Sequence, residues 1–151
     1  MQLDLTQQGL YLVVLVLVFF KIIVSDIRYR LIKNYDVLIV LILVLLIRRN
    51  DMETAILMQS AYVLVAGFII VSLGICGAGD VKLFAVIALG IDPTWFLLTL
   101  NLMLWLGGAL AVVMWLRNRL KQPERRTVVT IPYAVPIVVS SSVGIGLSML
   151  T

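Results

Sequence analysis

Long apolar runs, broken by short polar stretches, dominate the chain. Six apolar segments are predicted, at about residues 10–25, 36–47, 54–76, 81–91, 94–116 and 128–150. A helix needs ~20 apolar residues to cross a bilayer, and the third, fifth and sixth segments meet this length. The second and fourth are short, so each is predicted to be a buried helix, a tilted half-span, or a helix that extends into flanking polar residues.

The fourth segment has unusual boundaries. It begins beside Gly77 and Gly79, which permit uncommon backbone angles, and Asp92-Pro93 ends it. Irregular backbone at membrane depth is tolerated only where protein or a water-filled cavity covers it. This segment is therefore expected to border an active-site cavity.

Composition supports a membrane protein built from helices. Of the 151 residues, 62% are hydrophobic and 13% are charged, and the mean hydropathy is +1.12. These values are typical of integral membrane proteins, and the short connections leave no room for a soluble domain. The prediction is an all-α bundle of about six transmembrane helices, forming one membrane-embedded domain over residues 1–151. The lipid bilayer is its expected surrounding.

Basic residues are distributed unevenly among the connections. If all six segments cross, the first, third and fifth connections share one side and carry Arg28, Arg30, Lys33, Lys82, Arg117, Arg119, Lys121, Arg125 and Arg126. The opposite side carries only Arg48 and Arg49. Because cytoplasmic loops are enriched in Lys and Arg, the first group is predicted to be cytoplasmic. The chain is then a multi-pass protein of the cytoplasmic membrane with both termini outside.

The residue inventory excludes several chemistries. The chain has no histidine and a single cysteine, Cys76, so a structural zinc site of Cys and His ligands and a catalytic pair that uses histidine are both impossible. No metal or other cofactor is predicted. A nucleic-acid partner is not expected either, because the basic residues form no stripe with interleaved aromatics.

Two aspartates at membrane edges are the candidate catalytic groups. Asp26 follows the first segment and Asp80 precedes the fourth, so the topology puts both on the cytoplasmic face. Carboxylates beside apolar spans are costly and indicate function. Two carboxyl groups at ~3 Å resist ionising together, so such a pair shares a proton and can activate water for peptide hydrolysis.

Structural interpretations of the same charged residues remain open. Asp26 can be an interfacial anion paired with Arg28 or Arg30, and Asp80 can cap the fourth helix. Lys82 can mark topology or shift the pKa of the two aspartates. Beyond these, Asp36 is predicted to cap the second helix, and Lys21 to extend toward the cytoplasmic interface.

Three motifs resemble those of one protease family. The string from Gly77 to Leu83, Gly-Ala-Gly-Asp-Val-Lys-Leu, resembles the G-x-G-D motif of polytopic aspartyl proteases in its prepilin peptidase (type IV leader peptidase) form. The stretch from Asp26 to Asn34 resembles that family's first-aspartate motif, and Ile131-Pro132-Tyr133-Ala134 resembles the motif that opens its last helix. The order matches the family's, but Lys33 stands where the family usually has proline, which leaves that turn less constrained.

The resemblance implies an activity and a set of site residues. Such enzymes remove a short basic leader from type IV pilin-like precursors, including prepilins and preflagellins, after a glycine on the cytoplasmic side. Asp26 and Asp80 would be the catalytic pair. The supporting motif residues, for substrate binding or site geometry, would be Gly77, Gly79, Lys82, Arg28, Asn34, Pro132 and Tyr133.

The chain resembles the short form of the family, such as the peptidases of tight-adherence pilus systems or the archaeal preflagellin type. The longer, bifunctional members carry an N-terminal extension with two Cys-x-x-Cys pairs, and this sequence has only Cys76. N-methylation of the cleaved pilin is therefore not expected.

Two other classes of function compete with the peptidase. A small transporter or channel subunit would use Asp26 and Asp80 as a proton or cation relay, since intramembrane carboxylates also mark such pathways. A non-catalytic assembly protein of a pilus or secretion system would keep the fold without the chemistry. The sequence does not predict the oligomeric state.

Overall fold

The protein is all-helical across the residues that the structure describes. A computed structural model describes residues 5–49, 52–74, 76–120 and 131–150, and it contains six helices in these ranges. They are α1 (Leu5–Tyr29), α2 (Asn34–Ile47), α3 (Thr54–Ser72), α4 (Ala78–Ala88), α5 (Pro93–Arg119) and α6 (Ala134–Ser148). The predicted helical membrane bundle is confirmed.

Three of these helices are long and apolar enough to cross a membrane: α1, α3 and α5. The sixth segment was predicted to be a full span over 128–150, but α6 has only 15 residues, a length of about 22 Å. The chain turns at Pro132-Tyr133, and a residue before proline avoids helical angles. Positions 128–130 lie outside the described residues. The first segment is longer than predicted, because its helix extends through polar residues to 25 residues.

The short helix α4 lies in the middle of the bundle. It packs against α2, α3 and α6, and its fully buried side chains include Leu83, Ile87 and Ala88. Core residues from three other helices surround it, among them Phe19 and Ile22 of α1, Val40 and Val44 of α2, and Ile137 and Ile145 of α6. The interpretation of the fourth segment as a buried helix is therefore correct.

Two polar side chains of α3 donate hydrogen bonds to backbone carbonyl groups at the end of α4 and just after it. The amide Nε2 of Gln59 donates to the carbonyls of Ala88 and Ile91 at 2.9 and 3.1 Å, and the Ser60 hydroxyl donates to the Ala85 carbonyl at 2.8 Å. The last carbonyls of a helix have no partner within it, and burying them unpaired is costly. These bonds therefore fix the position of α4 along α3.

Contacts between distant segments define the two ends of the bundle. At one end, the Asp92 backbone N–H donates to the Ser148 hydroxyl at 2.8 Å, and Arg48 Nη2 lies 3.8 Å from Asp92 Oδ2. This end joins the end of α2, the start of α5 and the end of α6. The end of α1 and the starts of α4 and α6 meet at the opposite end, as alternating helix directions require.

Candidate active site

Asp26 lies in the last turn of α1 and faces the interior. Only 6% of its surface is exposed. Its Oδ2 accepts a 3.0 Å hydrogen bond from the backbone N–H of Ala134, the first residue of α6. The first N–H groups of a helix lack partners within the helix, so the carboxylate fills this role. Asp26 thereby joins the end of α1 to the start of α6.

The segment before α6 is anchored by its proline and tyrosine. Pro132 is buried and Tyr133 is half-buried. A side chain at Gly107 of α5 would place its Cβ 3.2 Å from the Tyr133 ring, so glycine at this position allows the ring to pack against α5. This packing holds the N–H of Ala134 where Asp26 can reach it.

Asp80 lies in the first turn of α4, three residues after the N-cap Gly77. The alternative interpretation, in which Asp80 caps the helix, is contradicted because Gly77 occupies the N-cap. The carboxyl group of Asp80 is partly buried. Its helix, α4, is not one of the three helices that are long enough to cross a membrane. Burial and the neighbouring charge of Asp26 raise the pKa of Asp80 to about 6. The backbone of Gly77 and the thiol of Cys76 act in the opposite direction.

The thiol of Cys76 is a side-chain donor to Asp80. Its Sγ lies 3.7 Å from Asp80 Oδ2. Burial and the negative charge of Asp80 raise the pKa of Cys76 to about 11, so the sulfur carries a proton at neutral pH. It is therefore a weak hydrogen-bond donor to the carboxyl group.

Both glycines of the motif leave room for side chains of this chain. A Cβ at Gly77 would lie 2.8 Å from Asp80 Oδ2, and one at Gly79 would lie 3.2 Å from the Cβ of Ile32. The first glycine allows the carboxyl group to fold back over the start of α4. The second lets the connection between α1 and α2 pack against α4 beside Asp80.

The cations of the first connection are not partners of Asp26. Among the described residues the ion pairs are Lys21–Asp36 and Arg48–Asp92, which contradicts the alternative interpretation that pairs Asp26 with Arg28 or Arg30. Because Asp26 faces inward, its carboxylate accepts from Ala134 instead. Both arginines are exposed, and Arg30 adopts a left-handed φ of 53° that ends α1.

Two other polar motif residues lie near this end of the bundle with exposed side chains. Asn34 is exposed at the first position of α2, and Lys82 is exposed in the first turn of α4. The basic residues Lys121, Arg125 and Arg126 of the fifth connection lie outside the described residues. The two aspartates and Ala134 therefore form the centre of the candidate site.

Asp36 differs from its predicted role, and Lys21 has a partner that the sequence analysis did not predict. Lys33, not Asp36, occupies the N-cap of α2. Asp36 is buried and forms an ion pair of 2.7 Å with Lys21. The signal was present in the sequence, since one acid and one base interrupt two neighbouring apolar segments. Gln59 and Ser60 were also missed, although they are polar residues within a long apolar segment.

Comparison with known proteins identifies a family. Residues 13–112 match the sequence profile of the type IV leader peptidase family. The matched segment includes both aspartates and both glycines, and it ends before Pro132. No curated protein and no solved structure matches the chain.

Proposed function

Since the chain belongs to the type IV leader peptidase family, and is thus a membrane-associated protease, we propose that it is an aspartyl endopeptidase that uses Asp26 and Asp80. The observation that carries this proposal is the placement of both carboxyl groups at one end of the bundle, with Asp26 bound to the first residue of α6 and Asp80 in the first turn of α4. The charge of Asp26 contributes to the raised pKa of Asp80. Two interacting carboxyl groups split their titrations, so one holds a proton while the other is ionised.

The surroundings of the two carboxyl groups suggest different roles. Asp26 Oδ2 accepts the Ala134 N–H, which leaves the other oxygen of an ionised Asp26 to accept a proton from water. Asp80 has a pKa raised to about 6, so it holds a proton closer to neutral pH than an ordinary carboxyl group does. We assign Asp26 as the general base and Asp80 as the general acid.

The reaction then follows from these two states. Asp26 takes a proton from water as the water oxygen attacks the scissile carbonyl carbon, and Asp80 gives its proton to the carbonyl oxygen. The resulting tetrahedral diol collapses when the Asp26 proton passes to the amide nitrogen, the C–N bond breaks, and Asp80 regains a proton from the diol. The products are a free acid and a free amine, and both aspartates return to their starting states.

The proposed substrate is a pilin-like precursor with a basic leader, cut at the cytoplasmic face of the cytoplasmic membrane. The excess of basic residues in the odd-numbered connections supports this orientation. Asp26, Asp80 and the start of α6 lie at the end of the bundle where α1 ends and α4 and α6 begin, which is also the end that carries Arg28 and Arg30. We further propose that residues 1–151 act as one peptidase domain.

The test is a cleavage assay in membranes with a tagged precursor. Wild type, Asp26→Asn and Asp80→Asn are compared with Asp92→Asn as the matched control. Asp92 caps α5 at the opposite end and accepts from Thr94, and asparagine retains N-cap function. We expect the first two variants to lose at least about 10³-fold in rate, while Asp92→Asn cuts like wild type after glycine.

Each alternative outcome counts against a specific part of the proposal. If Asp26→Asn and Asp80→Asn both still cut, the aspartates are structural and the catalytic assignment fails. If stably inserted wild type cuts no pilin-like precursor, the peptidase proposal fails. A proton or cation flux that requires both aspartates would then support the transporter hypothesis.

A further inference from the structure

A buried carboxylate outside the proposed catalytic pair links α1 to α2. Asp36 is 1% exposed, and its Oδ1 accepts a 2.7 Å hydrogen bond from Nζ of Lys21. The Lys21 side chain is 52% exposed, so it reaches the buried Asp36 carboxylate from the surface of α1. Lys21 also lies over the Tyr35 ring, 4.4 Å from its centroid.

This pair matters because its two members are not equally buried. An ionised carboxylate in the interior requires a partner, and removing that partner leaves an uncompensated buried charge. The half-exposed Lys21 can turn toward solvent or lipid headgroups if the carboxylate is removed. Asp36 therefore depends on Lys21, and the contact constrains how α1 lies against α2.

Helix geometry places the pair away from the reacting groups. Lys21 precedes Asp26 by five residues, which corresponds to about 140° of rotation and about 7.5 Å along α1. Asp26 faces Ala134 of α6, while Lys21 faces α2. A rotation of α1 that broke the contact with Asp36 would also turn Asp26 away from Ala134.

The connection between α1 and α2 extends the effect to the second aspartate. Ile32, in this connection, fills the space over Gly79. Gly79 directly precedes Asp80 in the sequence. The helices α1 and α2 and the connection at residues 30–33 form a helical hairpin. A displacement of this hairpin would move Ile32 away from α4. The hairpin that the ion pair closes therefore contacts the surroundings of both carboxyl groups.

We propose that Lys21 and Asp36 are positioning residues, which set the rotation and depth of α1 so that Asp26 meets the N–H of Ala134 and faces Asp80. This inference rests on the proposed function for its kinetic consequence. Its structural consequence, a protected Ala134 amide, is independent of any substrate.

The experiment combines amide hydrogen exchange with cleavage kinetics in nanodiscs. Lys21→Met leaves Asp36 unpaired, Lys21→Arg keeps the pair, and Lys21→Met/Asp36→Leu removes both charges. The matched control is Lys33→Met, since the ammonium group of exposed Lys33 also lies over the Tyr35 ring, at 5.5 Å, while the partner of the Asp36 carboxylate is Lys21. Lys33 binds Asp36 only through its backbone carbonyl, which methionine retains.

Lys21→Met and the double variant are expected to raise Ala134 exchange at least tenfold and to lower kcat per folded enzyme about 10–100-fold, because a displacement of ~1 Å has effects of this size. Both values are expected to be near wild type in Lys21→Arg and Lys33→Met. A double variant with normal Ala134 exchange and normal kcat would overturn the inference, because the pair would then serve stability alone. If wild type cuts no precursor, the proposed function fails while the exchange result still decides the positioning role.

Discussion

The Asp26 carboxylate and the backbone N–H of Ala134 are 108 positions apart in sequence, yet they share a buried 3.0 Å hydrogen bond. The bond connects the first-aspartate motif to the motif that opens α6. It gives the carboxylate two separable duties, because one oxygen satisfies a helix start while the proposed chemistry needs the ionised form. Substitutions at Asp26 can therefore separate structure from catalysis.

The first prediction compares Asp26→Asn with Asp26→Ala. The asparagine side-chain oxygen can still accept from Ala134, so we expect a change in unfolding free energy within about 1 kcal/mol, with cleavage lost. Alanine leaves a buried N–H without a partner, which costs about 1–3 kcal/mol. Thermal unfolding in detergent measures the first effect and precursor cleavage the second. Equal destabilisation by both substitutions would mean that the hydrogen bond contributes little to stability.

The second prediction concerns Gly77, the first glycine of the motif that contains Asp80. Gly77 has ordinary extended angles, φ −77° and ψ 139°, so alanine brings no backbone strain. Its methyl would lie 2.8 Å from Asp80 Oδ2 and must push the carboxyl group aside. We expect Gly77→Ala to lower kcat about 10–100-fold with little loss of stability.

Gly108 in α5 provides the matched control for this substitution. A Cβ there meets no heavy atom within 4 Å, and alanine in a helix interior is favoured over glycine by about 0.5–1 kcal/mol. Gly108→Ala should therefore retain full activity. Full activity in Gly77→Ala as well would show that the position of the Asp80 carboxyl group does not limit the reaction.

The third prediction is a pH dependence that originates at Asp80. Its pKa is about 6, and the proposed general acid must be protonated, so the active form is present below pH 6 and is lost above it. Between pH 7 and 9, kcat/KM should fall about tenfold per pH unit, since the protonated fraction falls by that factor. Initial rates at low substrate concentration measure this limb.

Cys76→Ala tests whether this limb belongs to Asp80. The thiol lowers the pKa of Asp80 by donating to it, so its removal should move the limb to higher pH. The maximal rate should be retained, because the thiol has no part in the reaction. A rate that is flat from pH 5 to 9 in wild type would contradict the assignment of Asp80 as the acid.

The fourth prediction concerns Lys33, in the connection between α1 and α2, where the motif resemblance implies proline. Lys33 has φ −78° and ψ 137°, and proline requires φ near −65 ± 15°. Ile32 before it is not helical, which suits a residue that precedes proline. Lys33→Pro should raise the free energy of unfolding by about 0.4–1 kcal/mol, because proline restricts the unfolded chain.

Lys33→Ala separates this backbone effect from the loss of the lysine side chain over Tyr35. Thermal unfolding of the two variants beside wild type makes the comparison. If Lys33→Pro is less stable than Lys33→Ala, the turn between α1 and α2 does not tolerate proline. The backbone angles of Lys33 would then not be sufficient to predict the effect of proline on stability.

Local pattern was sufficient to predict the helices and to select the two aspartates as candidate catalytic residues. Apolar runs report segments that leave water for lipid or for the protein interior, because this depends on each residue's own transfer free energy and needs no knowledge of neighbours. The same pattern failed at Asp36, because a charged residue near a helix start suits both a cap and an ion pair with another helix. It also overestimated the last span, since apolar residues before Pro132 do not continue α6.

The sequence by itself determined a helical membrane protein with a short central helix, an aspartate at each of two segment boundaries, and membership in a peptidase family. Only the tertiary structure decided that Asp26 binds Ala134, that Lys21 pairs with Asp36, that Gln59 holds the end of α4, and that Ile32 packs over Gly79. The physical reason is that these contacts satisfy buried polar groups or fill space between helices distant in sequence. Their partners depend on how the helices pack and not on the periodicity within any one of them.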